Sequence, residues 1–438
     1  MAERWNVYVE SHGCSANFAD GEAVVNALLA AGHSVTHNPQ DADYIIYNTC
    51  AVKGPAEKRM LHLIRKTPCE KKTIVTGCLP AINPRRLRET KWDGIVGAAP
   101  GLKVLDILNR VNRGERPFDV TANNKPNLSL FNASRGNVKR TIPIAYGCLS
   151  KCSFCAVPIA RGSLRSYEPT EIVNQVKIAI GRGTREIWLT ATDAACYGWD
   201  IGSNLPELIV KVTGLPGKFL VRVGMMNPLY VKRILQDLIE AYKSEKVYKF
   251  IHLPLQSGCS DVLRSMGRGY TAEEFSRIVS ELRAHIQPLT LSTDIICGFP
   301  TEGEESFQKT LDLLEEIRPD VVNVSKFEAR PGTAAAKLDP LHGRIVKERS
   351  TKTSALARQI ALKNNQRWIN WEGEVLVDEH GKRDTWMGRN MAYKPLVLRS
   401  NGIRMGSFVS ARIVDASASF LEARIAASQD SCTQKCLR

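Results

Sequence analysis

Three cysteines stand in one short run, Gly147-Cys148-Leu149-Ser150-Lys151-Cys152-Ser153-Phe154-Cys155, at C-x3-C-x2-C spacing. Three thiolates in one loop can hold three irons of a four-iron cubane. The fourth iron then lacks a protein ligand and stays open to a small molecule, which a cluster held by four cysteines does not allow. Structural zinc is the competing reading, but it asks for four ligands, and this loop offers neither a fourth cysteine nor a histidine. A second set is dispersed: Cys14, Cys50 and Cys78, in Gly13-Cys14-Ser15, Asn48-Thr49-Cys50 and Gly77-Cys78-Leu79, each follow a strand-like run. One such cysteine would read as a packing residue. Three in equivalent places favour convergence, because the carboxyl ends of parallel strands share one edge, where ligands bind.

The elements that position these thiols follow from the hydrophobic pattern. Residues 1–117 alternate between short apolar runs (Val7 to Val9, Asp43 to Tyr47, Thr73 to Val75) and helical patterns, as in an open parallel α/β domain. Residues 118–140 lack periodicity and read as a linker. Within 141–365, strand candidates at Ile142 to Tyr146, Glu186 to Thr190, Leu220 to Val223, Phe250 to Leu255, Leu291 to Ile296 and Val321 to Phe327 alternate with helices, the first expected to start from Thr170 as its cap. Six such units predict a partial barrel of the TIM type, (βα)6. The cysteine loop follows its first strand, and Asp193, Asn227, Gln256 and Ser257 fall at the carboxyl ends of others, as site residues or as ordinary turn formers and caps. Residues 366–428 change to short strands without long helices and predict a small β-barrel. There Trp368, Trp371, Trp386 and Tyr393 interleave with Arg383, Arg389, Lys394 and Arg399, a mixture that suits RNA unless the aromatics fill the core. Residues 429–438 form a polar tail, whose Cys432 and Cys436 read as free thiols or a metal pair.

Composition bounds the rest. The 438 residues suggest two to four domains, and 43% hydrophobic content excludes general disorder. The start runs straight into Val7-Tyr8-Val9 with no room for a signal peptide, and Val24 to Ala31 is far short of the roughly 20 residues a membrane span needs. A cytoplasmic, membrane-free protein is expected, and in a reducing cytosol its 12 cysteines point to metal or catalysis more than to disulfides. The net charge of +15 serves either solubility or a polyanionic partner.

The cysteine run at the mouth of a partial barrel resembles the radical S-adenosylmethionine (SAM) enzymes. That resemblance implies a 4Fe-4S cluster on Cys148, Cys152 and Cys155 whose open iron binds SAM and whose electron releases a 5'-deoxyadenosyl radical. The whole chain resembles the methylthiotransferases, whose terminal barrel is called the TRAM domain. Gly13-Cys14-Ser15-Ala16-Asn17, Asn48-Thr49-Cys50, Gly77-Cys78-Leu79-Pro80, Pro254-Leu255-Gln256-Ser257-Gly258 and Arg330-Pro331-Gly332-Thr333 carry it. It implies an auxiliary 4Fe-4S cluster on Cys14, Cys50 and Cys78, where sulfur is methylated and handed to the substrate. Cys50-Ala51-Val52-Lys53-Gly54-Pro55, Ala160-Arg161-Gly162, Tyr197-Gly198-Trp199-Asp200-Ile201-Gly202 and Gly388-Arg389-Asn390-Met391-Ala392-Tyr393-Lys394-Pro395 look like the archaeal and eukaryotic branch acting on threonylcarbamoyladenosine in tRNA.

The resemblance therefore implies tRNA and SAM as partners, with a reductant and a sulfur source. The alternatives are the branches acting on isopentenyladenosine or a ribosomal aspartate, and a non-catalytic RNA-binding iron-sulfur protein. A threonylcarbamoyl carboxylate asks for a cation, and Arg161, Arg165 and Arg222 are the candidates, unless each pairs with a structural acid or with SAM. Thr192 departs from the glutamate usual in this branch, and Cys69, Cys196, Cys259 and Cys297 read as packing residues.

Overall fold

The computed structural model describes residues 3–51, 54–131, 137–382, 384–400 and 402–425. The first part is a six-stranded parallel sheet of β1 (Asn6–Ser11), β2 (Ser34–Thr36), β3 (Tyr44–Thr49), β4 (Lys72–Gly77), β5 (Gly94–Val96) and β6 (Phe118–Asp119), in the order β2-β1-β3-β4-β5-β6. The three expected strands are its centre, and all six residues of β3 are buried, as a strand covered on both faces must be. Helix Ser15–Ala30 covers one face with Ala19, Ala23, Val24 and Ala27. Gly54–Lys66 lies on the other, its Met60, Leu61 and Ile64 sharing a cluster with Ile45 and Val75.

The segment expected to be a linker carries structure. Its residues 118–119 form β6, and Leu128–Phe131 is a buried turn that packs on helix Ser15–Ala30. Leu128 and Phe131 join one apolar core continuous from Val7 to the barrel residues Ile142, Ile187 and Val221. A few large side chains in an otherwise polar stretch were enough to anchor it.

The barrel holds all six expected parallel strands, here labelled with the intervening pair in chain order. They are β7 (Lys139–Pro143), β8 (Ala145–Tyr146), β9 (Arg165–Ser166), β10 (Glu186–Thr190), β11 (Leu220–Val223), β12 (Phe250–His252), β13 (Thr290–Cys297) and β14 (Val321–Lys326). Strands β7, β10 and β11 form one parallel group and β12, β13 and β14 another, bridged at Val221 and Val247. Strands β8 and β9 pair antiparallel, so the loop of Cys148, Cys152 and Cys155 is closed at its base by a two-stranded ribbon that periodicity did not foresee. The first long helix spans Pro169–Gly181 and is capped by Glu168 rather than Thr170. Proline fits the first helical position, and Glu168 and Glu171 satisfy each other's backbone N–H groups.

Helix Gly343–Gln366 leads to a closed barrel of β15 (Glu372–His380), β16 (Trp386–Asn390), β17 (Pro395–Leu398), β18 (Phe408–Ala416) and β19 (Leu421–Ile425), in the order β15-β16-β17-β19-β18. Trp368, Trp371 and Trp386 pack on its core of Val375, Leu396 and Ile413. Tyr393 is buried against Tyr248, Phe250 and Trp188 beneath the larger barrel, and Lys394 is buried on Asp320 and Asn365. These residues hold two domains together instead of facing RNA. Arg399 is exposed, while Arg383, Cys432 and Cys436 lie outside the described residues.

Candidate functional site

The three amino-terminal cysteine loops are tied to one another by backbone and amide contacts. Asn17, one turn into the helix that Cys14 caps, donates from Nδ2 to Asn48 Oδ1 (2.8 Å) and Thr49 O (3.2 Å), and Asn48 Nδ2 returns a bond to Asn17 O (2.6 Å). Cys78 N donates to Thr49 O at 2.9 Å. Gly77 makes that approach possible: at φ +96 a Cβ there would lie 2.2 Å from Thr49 O. Cys14, Cys50 and Cys78 consequently face one region at the carboxyl edge of the sheet, and burial foremost pushes the Cys78 thiol up to about 11, with Cys14 and Cys50 adding to the rise.

The second trio is held as firmly. Gly147, at φ +74, lets the chain pass Ser163 O, which a Cβ would approach to 1.8 Å. Ser153 N donates to Met266 O (2.9 Å), and Ala335 N to Ser153 O (2.8 Å). Each sulfur has an N–H donor nearby: Ser150 N to Cys148 (3.3 Å), Arg268 Nη1 to Cys152 (3.2 Å) and the Val157 backbone to Cys155. Burial pushes Cys148 up to about 11, helped by Asp193, and Cys155 up to about 12.

Thiols so desolvated ionise only when cations meet them, and iron with donor N–H groups around it provides that. Among the described residues no three His, Cys, Asp or Glu side chains converge on one metal ion. A cubane takes thiolates on separate irons rather than on one point, and each trio offers three thiols of that kind.

The strand-end residues split into distinct roles. Asp193 is buried, and burial lifts its carboxyl to about 6. Its Oδ1 accepts from Ala195 N (3.1 Å) and Asn227 N (3.0 Å), while Oδ2 has no partner. Asn227 caps helix Pro228–Tyr242 and donates from Nδ2 to Ser150 Oγ of the cysteine loop (2.9 Å). Gln256 has a positive φ of 74 and a buried, unpartnered Oε1. Ser257 is spent on Cys259 N (3.3 Å) and Thr310 (3.4 Å). Thr190, at the end of β10, meets Ser15, the residue after Cys14, at 2.7 Å, so the amino-terminal loops sit over the barrel mouth.

The three arginines expected to meet a substrate carboxylate have other partners. Arg161 is buried and ion-paired with Asp20 at 2.6 Å. Arg165 donates to Asn123 Oδ1 and the backbone oxygens of Ser163, Asn124 and Arg161, clamping the ribbon. Arg222 lies over the rings of Trp188, Phe250 and Tyr393 at 4.5, 4.8 and 5.2 Å, next to the terminal barrel. Spacing cannot foresee such partners, which come from other elements. Conversely, Arg268 and Asp20 were missed. Each left a signal: Arg268 stands between two glycines of positive φ, and Asp20 is a charge on the apolar face of a helix. Of the unassigned cysteines, Cys196, Cys259 and Cys297 are buried as expected, whereas Cys69 is exposed because it lies in the polar turn before β4.

Comparison with known proteins agrees with this geometry. Residues 142–314 match the model of the Radical SAM superfamily, and residues 6–97 that of the Uncharacterized protein family UPF0004. A radical SAM methyltransferase, TsrM from Kitasatospora setae, solved with cobalamin and a 4Fe-4S cluster bound, shares the fold at a TM-score of 0.55 and 13% identity over 76% of this chain and 77% of that one. The fold and the cysteine loop thus define a radical SAM protein. A protein of Pyrococcus horikoshii named a probable threonylcarbamoyladenosine tRNA methylthiotransferase is 44% identical over 95% of this chain and 98% of its own. The Homo sapiens protein of that name is 33% identical over 95% of this chain and 73% of its own. The chain belongs to the threonylcarbamoyladenosine tRNA methylthiotransferase family.

Proposed function

We propose that this protein transfers a methylthio group to C2 of N6-threonylcarbamoyladenosine at position 37 of tRNA, working in the cytoplasm. Cys148, Cys152 and Cys155 would hold one 4Fe-4S cluster, which would leave an iron free for SAM, and Cys14, Cys50 and Cys78 would hold a second. With both clusters and two SAM molecules bound, the site would supply a radical to remove the C2 hydrogen and a methylated sulfur to replace it, with reductant and sulfur from outside the chain. An aromatic C–H at C2 is neither acidic nor electrophilic enough for acid-base chemistry, which is why a radical route is required.

One observation carries the reading: the two cysteine trios are joined by a single short helix. Val157–Arg161 begins one residue after Cys155, its Ala160 and the capping Ala156 share an apolar cluster with Cys78 and Leu79, and Arg161 lies beside Cys78. Two sites for one substrate carbon have to be neighbours, and the rigid contacts between the two trios support that reading. Around them the chain positions loops and excludes water, with Asn227 fixing Ser150 and the Ser15–Thr190 contact closing one side. The relatives' names support the choice of nucleoside. The test is mass spectrometry of nucleosides from tRNA incubated anaerobically with protein, SAM, sulfide and reductant. A methylthio product on threonylcarbamoyladenosine alone is expected, and equal product on isopentenyladenosine overturns the substrate.

A further inference from the structure

Arg161 is 4% exposed, five residues into no ordinary surface helix but at the end of the short one that separates the two trios. Its Nη2 donates to Asp20 Oδ2 at 2.6 Å, and Tyr146 OH donates to Asp20 Oδ1 at 2.8 Å, while the guanidinium stands 5.8 Å from the Tyr146 ring centre. Asp20 is thus satisfied on both oxygens and fixes the plane of the fork. Nη1 is buried with no oxygen or nitrogen acceptor, and the guanidinium reaches the Cys78 thiol, whose ionised form it favours by charge and hydrogen bond. A guanidinium N–H without an acceptor in a dry site is costly, so such an atom marks a place where an acceptor belongs. The neighbours on that side are the thiols: Cys78 and Cys14 both lie close enough to bear on the Arg161 charge.

We infer that Arg161 is a positioning and tuning residue of the auxiliary cluster, donating through Nη1 to its sulfurs and raising its reduction potential. The inference rests on the assignment of Cys14, Cys50 and Cys78 as that cluster's ligands. One-electron reduction by an external reductant adds a negative charge to the cluster, and a fixed cation with an N–H donor stabilises the reduced form more than the oxidised one. Arg268 stands in the same relation to Cys152 in the other trio, at 3.2 Å, so each cluster would be tuned by its own buried arginine. Asp20 offsets part of the charge but leaves the donor in place, which makes the effect directional rather than a general field.

The test separates the clusters. A protein with Cys148, Cys152 and Cys155 all changed to Ala, reconstituted anaerobically with iron and sulfide, holds the auxiliary cluster alone, and its midpoint is read by electron paramagnetic resonance during a mediated potentiometric titration. At the parent's midpoint, Arg161→Gln should lower the reduced-to-oxidised ratio about tenfold, equivalent to about 59 mV for one electron, and Arg161→Lys by less. Because Gln leaves Asp20 charged and unpaired, the pair Arg161→Gln with Asp20→Asn is titrated too; with both charges gone it should show a smaller shift in the same direction, the part owed to the lost N–H donor. In the converse background, with Cys14, Cys50 and Cys78 changed to Ala, Arg161→Gln should leave the remaining cluster's midpoint in place. Full iron with an unmoved auxiliary midpoint in both Gln variants overturns the role of Arg161. A parent that binds no cluster overturns the ligand assignment itself, and the inference with it.

Discussion

Glu186, the first residue of β10, is fully buried where the terminal barrel meets the larger one, and replacing it with Gln should stabilise the protein increasingly as pH rises. Oε1 accepts from Trp188 Nε1 and from Tyr393 OH (3.2 Å), and Oε2 from Tyr248 OH (3.5 Å). Burial first, then the nearby Asp378 carboxylate, push the Glu186 carboxyl from 4.5 up to about 7, against the pull of the Trp188 bond, Lys139 and Arg389. Those two cations are shared with Asp378, at 2.9 Å and 3.4 Å, so Glu186 has no cation of its own. A folded-state pKa above the unfolded one means the folded protein holds its proton longer. The wild-type stability is therefore full below about pH 4.5 and is lost as pH rises through about 7.

At about 1.4 kcal/mol per pH unit the total is on the order of 3 kcal/mol, and about 2.5 kcal/mol of it falls between pH 5 and pH 8. Gln carries no charge at either pH, its oxygen can accept from Trp188 and Tyr393, and its amide can donate to the Tyr248 oxygen. The assay is the difference in Tm between Glu186→Gln and wild type, measured by differential scanning fluorimetry near pH 5 and near pH 8, so that acid effects common to both cancel. With an unfolding entropy of about 2 cal/mol/K per residue over the 438-residue chain, the difference should grow in favour of the variant by roughly 3 °C. A difference that stays flat or shrinks with pH refutes the reasoning.

Cys152→Ala should abolish formation of 5'-deoxyadenosine from SAM, measured by chromatography, since one thiolate of the loop is gone. Cys50→Ala should retain roughly half the iron and some SAM cleavage yet give no methylthiolated nucleoside, read by iron assay and mass spectrometry. Gly147→Ala adds a Cβ 1.8 Å from Ser163 O at φ +74, so the ribbon must open; iron bound by the loop should fall and Tm drop by several degrees, the backbone term alone costing about 1–2 kcal/mol. The exposed Arg399 and Arg404 are the better test of RNA contact by the terminal barrel, because deleting that barrel would uncover Tyr248 and Phe250. Changing both arginines to Ala should weaken tRNA binding and flatten its salt dependence by about one unit of slope per lost phosphate contact.

Much of this molecule is legible along the chain because its determinants are local. The C-x3-C-x2-C run needs only a loop, and a loop is set by neighbouring residues such as Gly147. The order of strands and helices follows from hydrophobic period, and the placing of Cys14, Cys50 and Cys78 at one edge follows from parallel strands sharing a direction. What the sequence could not tell is which long side chain meets which. Arg161 pairs with an aspartate 141 positions earlier, and Tyr393 reaches a glutamate 207 positions earlier. Arginine, lysine and tyrosine look alike in a sequence whether they end in solvent, on RNA or in a core, since their polar tips are satisfied by any acceptor within reach. Only the tertiary packing decides which acceptor that is: it gives Arg161 to Asp20, makes Arg165 a clamp of the cysteine-loop ribbon, and places Arg222, Tyr393 and Lys394 where the terminal barrel meets the larger one.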